Sequence, residues 1–78
     1  MTLCDSKPLK RYLIQGLAPL EGDDPRLIRL KQFGFIPGIE LQCTQLSPWL
    51  KNPLLFFIRG MKIALTKEEA SLVEVKEI

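Results

Sequence analysis

The chain contains no histidine. That removes the side chain most often used as a general base near neutral pH, and the imidazole ligand that suits transition metals. Ser6, Ser47 and Ser71 therefore have nothing to activate them, and a Ser-His triad is excluded. Cysteine is scarce. Cys4 and Cys43 lie at no metal-type or redox-type spacing and read as free thiols, not as a disulfide framework.

Long apolar runs are missing as well. The longest, Leu54-Leu55-Phe56-Phe57-Ile58, falls far short of the ~18 residues that span a bilayer. The first ten residues, MTLCDSKPLK, carry no apolar stretch of signal-peptide length. The expectation is a cytoplasmic protein that does not span a membrane. No sign of charge dominates: eleven basic residues oppose nine acidic ones, for a net charge of +2, and the basic residues are scattered. Nucleic acid is not an expected partner. Repeats and low-complexity tracts are absent.

What is present suits a small folded domain. At 78 residues, 46% hydrophobic and 26% charged, the sequence reads as one domain, 1–78, with residues 1–10 as a lead-in. A chain this short buries only about 60% of its unfolded surface, so most apolar residues are needed for the core.

The chain-breaking residues carry the architecture. Asp24 before Pro25 is an N-cap followed by a proline at the first helical position, which starts a helix over about 24–33. Leu27, Ile28 and Leu30 are assigned to its inner face. Gly34 ends it in a left-handed conformation, and Phe35 then folds back onto Leu30. Ile36-Pro37-Gly38-Ile39 fits a type II turn with proline second and glycine third. A glycine-rich phosphate loop is not indicated, since these glycines end a helix and no Lys-Ser/Thr pair follows.

Strands are expected over 12–17, where alternation is poor, and over 39–44, where it is clear and places Cys43 inward with Ile39 and Leu41. SPWLKNP (47–53) is a proline-bounded loop. Residues 54–59 form a strand, and Gly60-Met61 suits a two-residue II′ hairpin. That turn pairs Ile58 with Ile63 and Phe56 with Leu65, and leaves Leu55, Phe57 and Ala64 on the opposite face. Thr66-Lys67-Glu68-Glu69 has the form of a capping box and opens a short helical turn over about 67–70. The closing LVEVKEI alternates, with Val73 and Val75 inward. The fold class is mainly β: a small, partly closed barrel with one α-helix and a short helical turn.

No residue pattern points to catalysis. Asp23-Asp24 is explained by the helix cap and Glu68-Glu69 by the capping turn. No catalytic, cofactor-binding or metal residues are assigned, and an enzyme is not expected. Surface contact remains. Trp49 and Leu50 sit in the proline-bounded loop, and tryptophan is enriched in binding hot spots. Leu55 and Phe57 form a second apolar patch, to be covered by the N-terminal segment, a partner or, in weak self-association, a second copy.

Three stretches in order resemble one family. RLKQFGFIPG (29–38) is similar to the R-L-x-x-L-G-F-x-P-G segment of FeoA proteins, and IRGMKIALTKEEASLVEV (58–75) to that family's I-x-G-x-x-I-A-L-R-x-x-E-A-x-x-I-x-V ending. SPWLKNP sits where the family has a P-x-x-x-P loop. Phe33 replaces the usual leucine, and Thr66 the usual arginine. The resemblance implies an SH3-like barrel acting as a non-catalytic cytoplasmic accessory of ferrous iron uptake. It would bind and modulate the cytosolic part of a FeoB-type membrane transporter, with Fe²⁺ as that partner's cargo and no cofactor of its own. The alternatives are a metal-responsive module that binds a transition metal directly, or a generic SH3-like peptide-binding domain.

Overall fold

A computed structural model describes residues 1–18, 24–44 and 53–78. A 3-10 turn at Leu3–Asp5 is followed by β1 (Arg11–Leu17), α1 (Pro25–Gln32), β2 (Glu40–Cys43), β3 (Leu54–Ile58), β4 (Met61–Leu65), α2 (Lys67–Ala70) and β5 (Val73–Glu77). The strands make one antiparallel sheet in the order β4-β3-β2-β1-β5. It is mainly β, as expected, and the barrel stays open, with β4 and β5 as the two edges.

One face of the sheet carries the core. Tyr12, Ile14, Leu41, Cys43, Leu54, Phe56, Ile58, Leu65, Val73 and Val75 are all buried there with Leu30 and Phe35. Burying side chains of this size contributes roughly 1.5–3 kcal/mol each before chain entropy is set against it. The poor alternation of β1 has a physical cause. Ile14 pairs with Val75 and Gly16 with the next β5 residue, Glu74, so Gln15 is an extra residue in a β-bulge. The bulge flips the parity: Tyr12 and Ile14 point inward before it, and Leu17 packs on the core after it.

α1 starts as its punctuation requires. The Asp24 carboxylate accepts the Arg26 N–H at 2.9 Å, and Pro25 occupies the first turn. Its inner stripe is narrower than expected. Leu27 and Leu30 are buried, but Ile28 is exposed, because at 3.6 residues per turn it lies well round the helix from Leu30. The end is a Schellman motif. The Phe35 N–H donates to Leu30 O and the Gly34 N–H to Lys31 O, both at 3.0 Å, with Gly34 at φ +94°. Phe35 and Leu30 are fully buried in the same cluster. Gly38, at φ +91°, then completes the turn in which the Ile39 N–H reaches Ile36 O at 3.3 Å.

The β3–β4 hairpin departs from expectation. Its two central residues are Arg59 and Gly60, not Gly60 and Met61. Both have positive φ, +50° and +81°, the signature of a type I′ turn whose twist matches the strands. The pairing is Ile58 with Met61, Phe56 with Ile63 and Leu54 with Leu65. The slip from the expected register is two residues, an even number, so every side chain keeps its face while its cross-strand neighbour changes.

The N-terminal residues are built in, not a loose lead-in. Leu3 is fully buried, and the Val75 N–H donates to Met1 O at 2.9 Å. The buried Tyr12 hydroxyl accepts the Lys7 N–H at 2.8 Å.

Gly34 and Gly38 separate two effects. A Cβ on Gly34 would lie 3.0 Å from Arg59 Cδ, whereas one on Gly38 would meet nothing within 4 Å. Gly38→Ala is expected to lose roughly 1–2 kcal/mol from backbone strain alone. Gly34→Ala should lose more, because the Arg59 side chain must also give way. Urea unfolding of both variants checks this, and equal losses would show that the Arg59 contact contributes nothing.

Candidate functional site

The helical side of the molecule is locked by charge. The Arg26 guanidinium donates to both Asp24 oxygens, at 3.0 and 2.9 Å, and approaches Glu68 on α2 at 3.4 Å. Those hydrogen bonds, with that from the Arg26 N–H, hold the Asp24 carboxyl down at about 2. The α2 capping box is complete: the Glu69 N–H donates to Thr66 Oγ1 at 3.1 Å, and the Thr66 N–H to Glu69 Oε1 at 3.0 Å. The buried Glu69 carboxylate also accepts from Arg29 at 2.9 Å, and Arg29 lies over the Phe33 ring at 5.3 Å. Asp24 and Thr66 thus cap α1 and α2, while the Arg26–Glu68 and Arg29–Glu69 pairs join the two helices.

The cysteines stand apart. The Cys4 thiol donates to Lys67 O at 2.9 Å, and burial, then the nearby Asp5 carboxylate, push its pKa up. Cys43 is buried in β2, and both are free thiols. Among the described residues no three Cys, Asp or Glu side chains gather where they could hold one ion.

The outer face of β2–β3–β4 is the exposed counterpart of the core. Gln42, Phe57 and Lys62 form one cross-strand row, and Leu55 pairs with Ala64 in the next. Leu55 is 44% and Phe57 41% exposed, values that mark them as uncovered apolar side chains on a strand face. The N-terminal segment leaves them exposed: its 3-10 turn packs on α2 and β5, and Leu9 and Lys10 hydrogen-bond to Cys43 and Gln42 of β2. Two shallow depressions flank the pair. One, of about 220 Å³, is lined by Arg11, Glu40, Leu41, Gln42, Phe57 and Arg59. The other, of about 270 Å³, is lined by Thr44, Leu55, Lys62, Ile63 and Ala64.

The rim of this face is cationic. Arg11 is ion-paired with Glu40 at 2.9 Å, but Arg59 and Lys62 have no ion-pair partner among the described residues. Of the expected contact residues, the structure brings Leu55 and Phe57 together. Trp49 and Leu50 lie outside the described residues. Sequence reading missed Arg59 and Lys62. The turn chemistry held the signal: an Arg-Gly type I′ turn, once recognised, sets Lys62 opposite Phe57.

An open five-stranded antiparallel sheet of this order, with one helix on its core, defines a small SH3-like β-domain. The FeoA domain family model matches residues 1–77, and the chain belongs to the FeoA family, which is associated with ferrous iron transport. The sequence is 28% identical to the FeoA of Stenotrophomonas maltophilia solved in complex with zinc (TM-score 0.86; 97% of this chain and 89% of that one covered). It is 32% identical to iron(II) transport protein A of Clostridium thermocellum (TM-score 0.84; 100% and 46% covered). The FeoA protein of Chlorobium tepidum shares the fold at 23% identity (TM-score 0.80; 100% and 70% covered). No curated protein matches the sequence. Among the described residues no helix is long and apolar enough to cross a membrane.

The Asp24 value of about 2 lies below the ~4 of an unfolded aspartate. Its stabilisation is therefore complete above about pH 4 and is lost as pH falls through about 2. Asp24→Asn keeps a cap acceptor without the charge, so its urea midpoint should fall less steeply than wild type in that window. Glu69→Ala removes the box and the Arg29 ion pair together and should lose about 2 kcal/mol. Glu69→Gln keeps an acceptor for the Thr66 N–H and should lose clearly less in the same titration.

Proposed function

We propose that the chain is a non-catalytic cytoplasmic accessory of ferrous iron uptake. It docks on the cytosolic part of a FeoB-type membrane transporter and modulates it. The observation that carries this reading is the pair Leu55 and Phe57, exposed side by side on a rigid strand face in a chain of the FeoA family. Apolar side chains held by a sheet lose little further entropy on binding, which suits a docking surface. Trp49 and Leu50 of the proline-bounded loop are proposed as a further contact patch. Fe²⁺ is the transporter's cargo and is not assigned to a site in this chain.

The test is binding of the isolated cytosolic domain of the transporter to wild type and to Leu55→Ser/Phe57→Ser. Both residues face outward, so unfolding midpoints should move little. Affinity should fall at least about tenfold, the effect of losing one or two exposed apolar anchors. Trp49→Ala should weaken binding in the same way. Unchanged affinity in the double variant removes the outer face from the interface.

A further inference from the structure

The outer face ends at β4, which is a sheet edge, and the ladder fixes which of its backbone groups are free. Leu55 O accepts the Thr44 N–H at 2.9 Å, so the Leu55 backbone points toward β2 and away from β4. Its cross-strand partner Ala64 must then point its own N–H and C=O away from β3. Lys62, two residues earlier, does the same. Neither residue's N–H or C=O is bonded within the described residues. Among the described residues the edge therefore offers two donors and two acceptors in a row, beside the exposed apolar side chains of Leu55 and Phe57 and the ammonium of Lys62, which has no ion-pair partner there.

We infer that β4 is extended by a strand of another protein in which acidic residues alternate with apolar ones. Added antiparallel to β4, such a strand pairs its backbone with Lys62 and Ala64. Its alternate side chains lie on the outer face, where carboxylates meet the exposed Lys62 ammonium. The opposite side chains lie beside Ile63, which is only partly buried at this edge. Charge selects this occupant over a second copy of the chain. A twofold pairing about Ile63 satisfies the same backbone groups, with each Lys62 opposite the other copy's Ala64. It also places both Lys62 ammonium groups on one face, within the Debye length of about 8 Å, with no anion between them. A lysine on an open edge works against self-pairing in just this way. The inference rests on the reading of the outer face as a docking surface, but not on the identity of the transporter.

The test needs no transporter. ¹⁵N-labelled protein is titrated with a capped peptide alternating glutamate and valine, and separately with its lysine-valine counterpart. The acidic peptide should shift the Phe57, Lys62 and Ala64 amides and slow hydrogen exchange at Lys62 and Ala64. It should bind about tenfold more tightly than the basic peptide and weaken with salt. Lys62→Glu should remove or reverse that preference. Ala64→Pro should abolish binding by either peptide while keeping the folded spectrum, since proline is tolerated where an edge N–H faces solvent. If that variant unfolds, the exchange pattern and Lys62→Glu decide. Equal affinity for the two peptides, no binding, or shifts confined to another face would overturn the proposal. So would a dimer of the free chain, in sedimentation, that Ala64→Pro dissociates. Peptide binding at the edge with no affinity for the transporter domain keeps this mode and sinks the transporter reading. Transporter binding that Ala64→Pro leaves intact does the reverse.

Discussion

The left-handed backbone at Gly34 is the constraint on which the rest hangs. It closes the Schellman motif, returns Phe35 to the core beside Leu30, and lets β2 begin a few residues later, after one more tight turn. The Arg59 side chain packs over Gly34, 3.0 Å from where a Cβ would lie, so the β3–β4 hairpin touches the same corner. One residue thus sets the direction of the helix, the start of a central strand and the seat of the hairpin that carries the outer face. A side chain there meets both a backbone and a packing obstacle, which is why two glycines and a proline stand among large apolar residues at 33–38.

Charge plays two separate parts. On the helical side, Arg26 and Arg29 engage Asp24, Glu68 and Glu69, so cations and anions are matched and the short α2 is held against α1. The buried Glu69 is satisfied by three donors, the Arg29 guanidinium and the Thr66 N–H and hydroxyl, which makes a carboxylate tolerable in the core of so small a protein. On the outer face the cations Arg59 and Lys62 have no such partners among the described residues, and Leu55 and Phe57 stay exposed. The same residue types therefore lock structure on one side of the molecule and leave unmet valence on the other.

Much of the fold was legible because its signals are local. Asp24-Pro25, Gly34-Phe35, Pro37-Gly38 and Thr66-Glu69 each act within five residues, and each does in the structure what its chemistry requires. The misreadings involve choices between local options that only packing resolves. Both Arg59-Gly60 and Gly60-Met61 are admissible hairpin turns, and the core accepts either register because they differ by two. Ile28 and Leu30 are equally apolar, but only one faces the sheet. The bulge at Gln15 left its trace only as irregular alternation.

The sequence by itself determined the fold class, the helix ends and the absence of imidazole chemistry, because these depend on residue identity and on neighbours a few positions away. It also carried the FeoA resemblance, through three motifs in order along the chain. Tertiary structure decided that Leu55 and Phe57 stay exposed, that Lys62 stands opposite Phe57, and that β4 is an edge of the sheet among the described residues. Exposure, register and strand order are relations between segments distant in the chain, and no local pattern encodes which of several apolar faces the protein will bury.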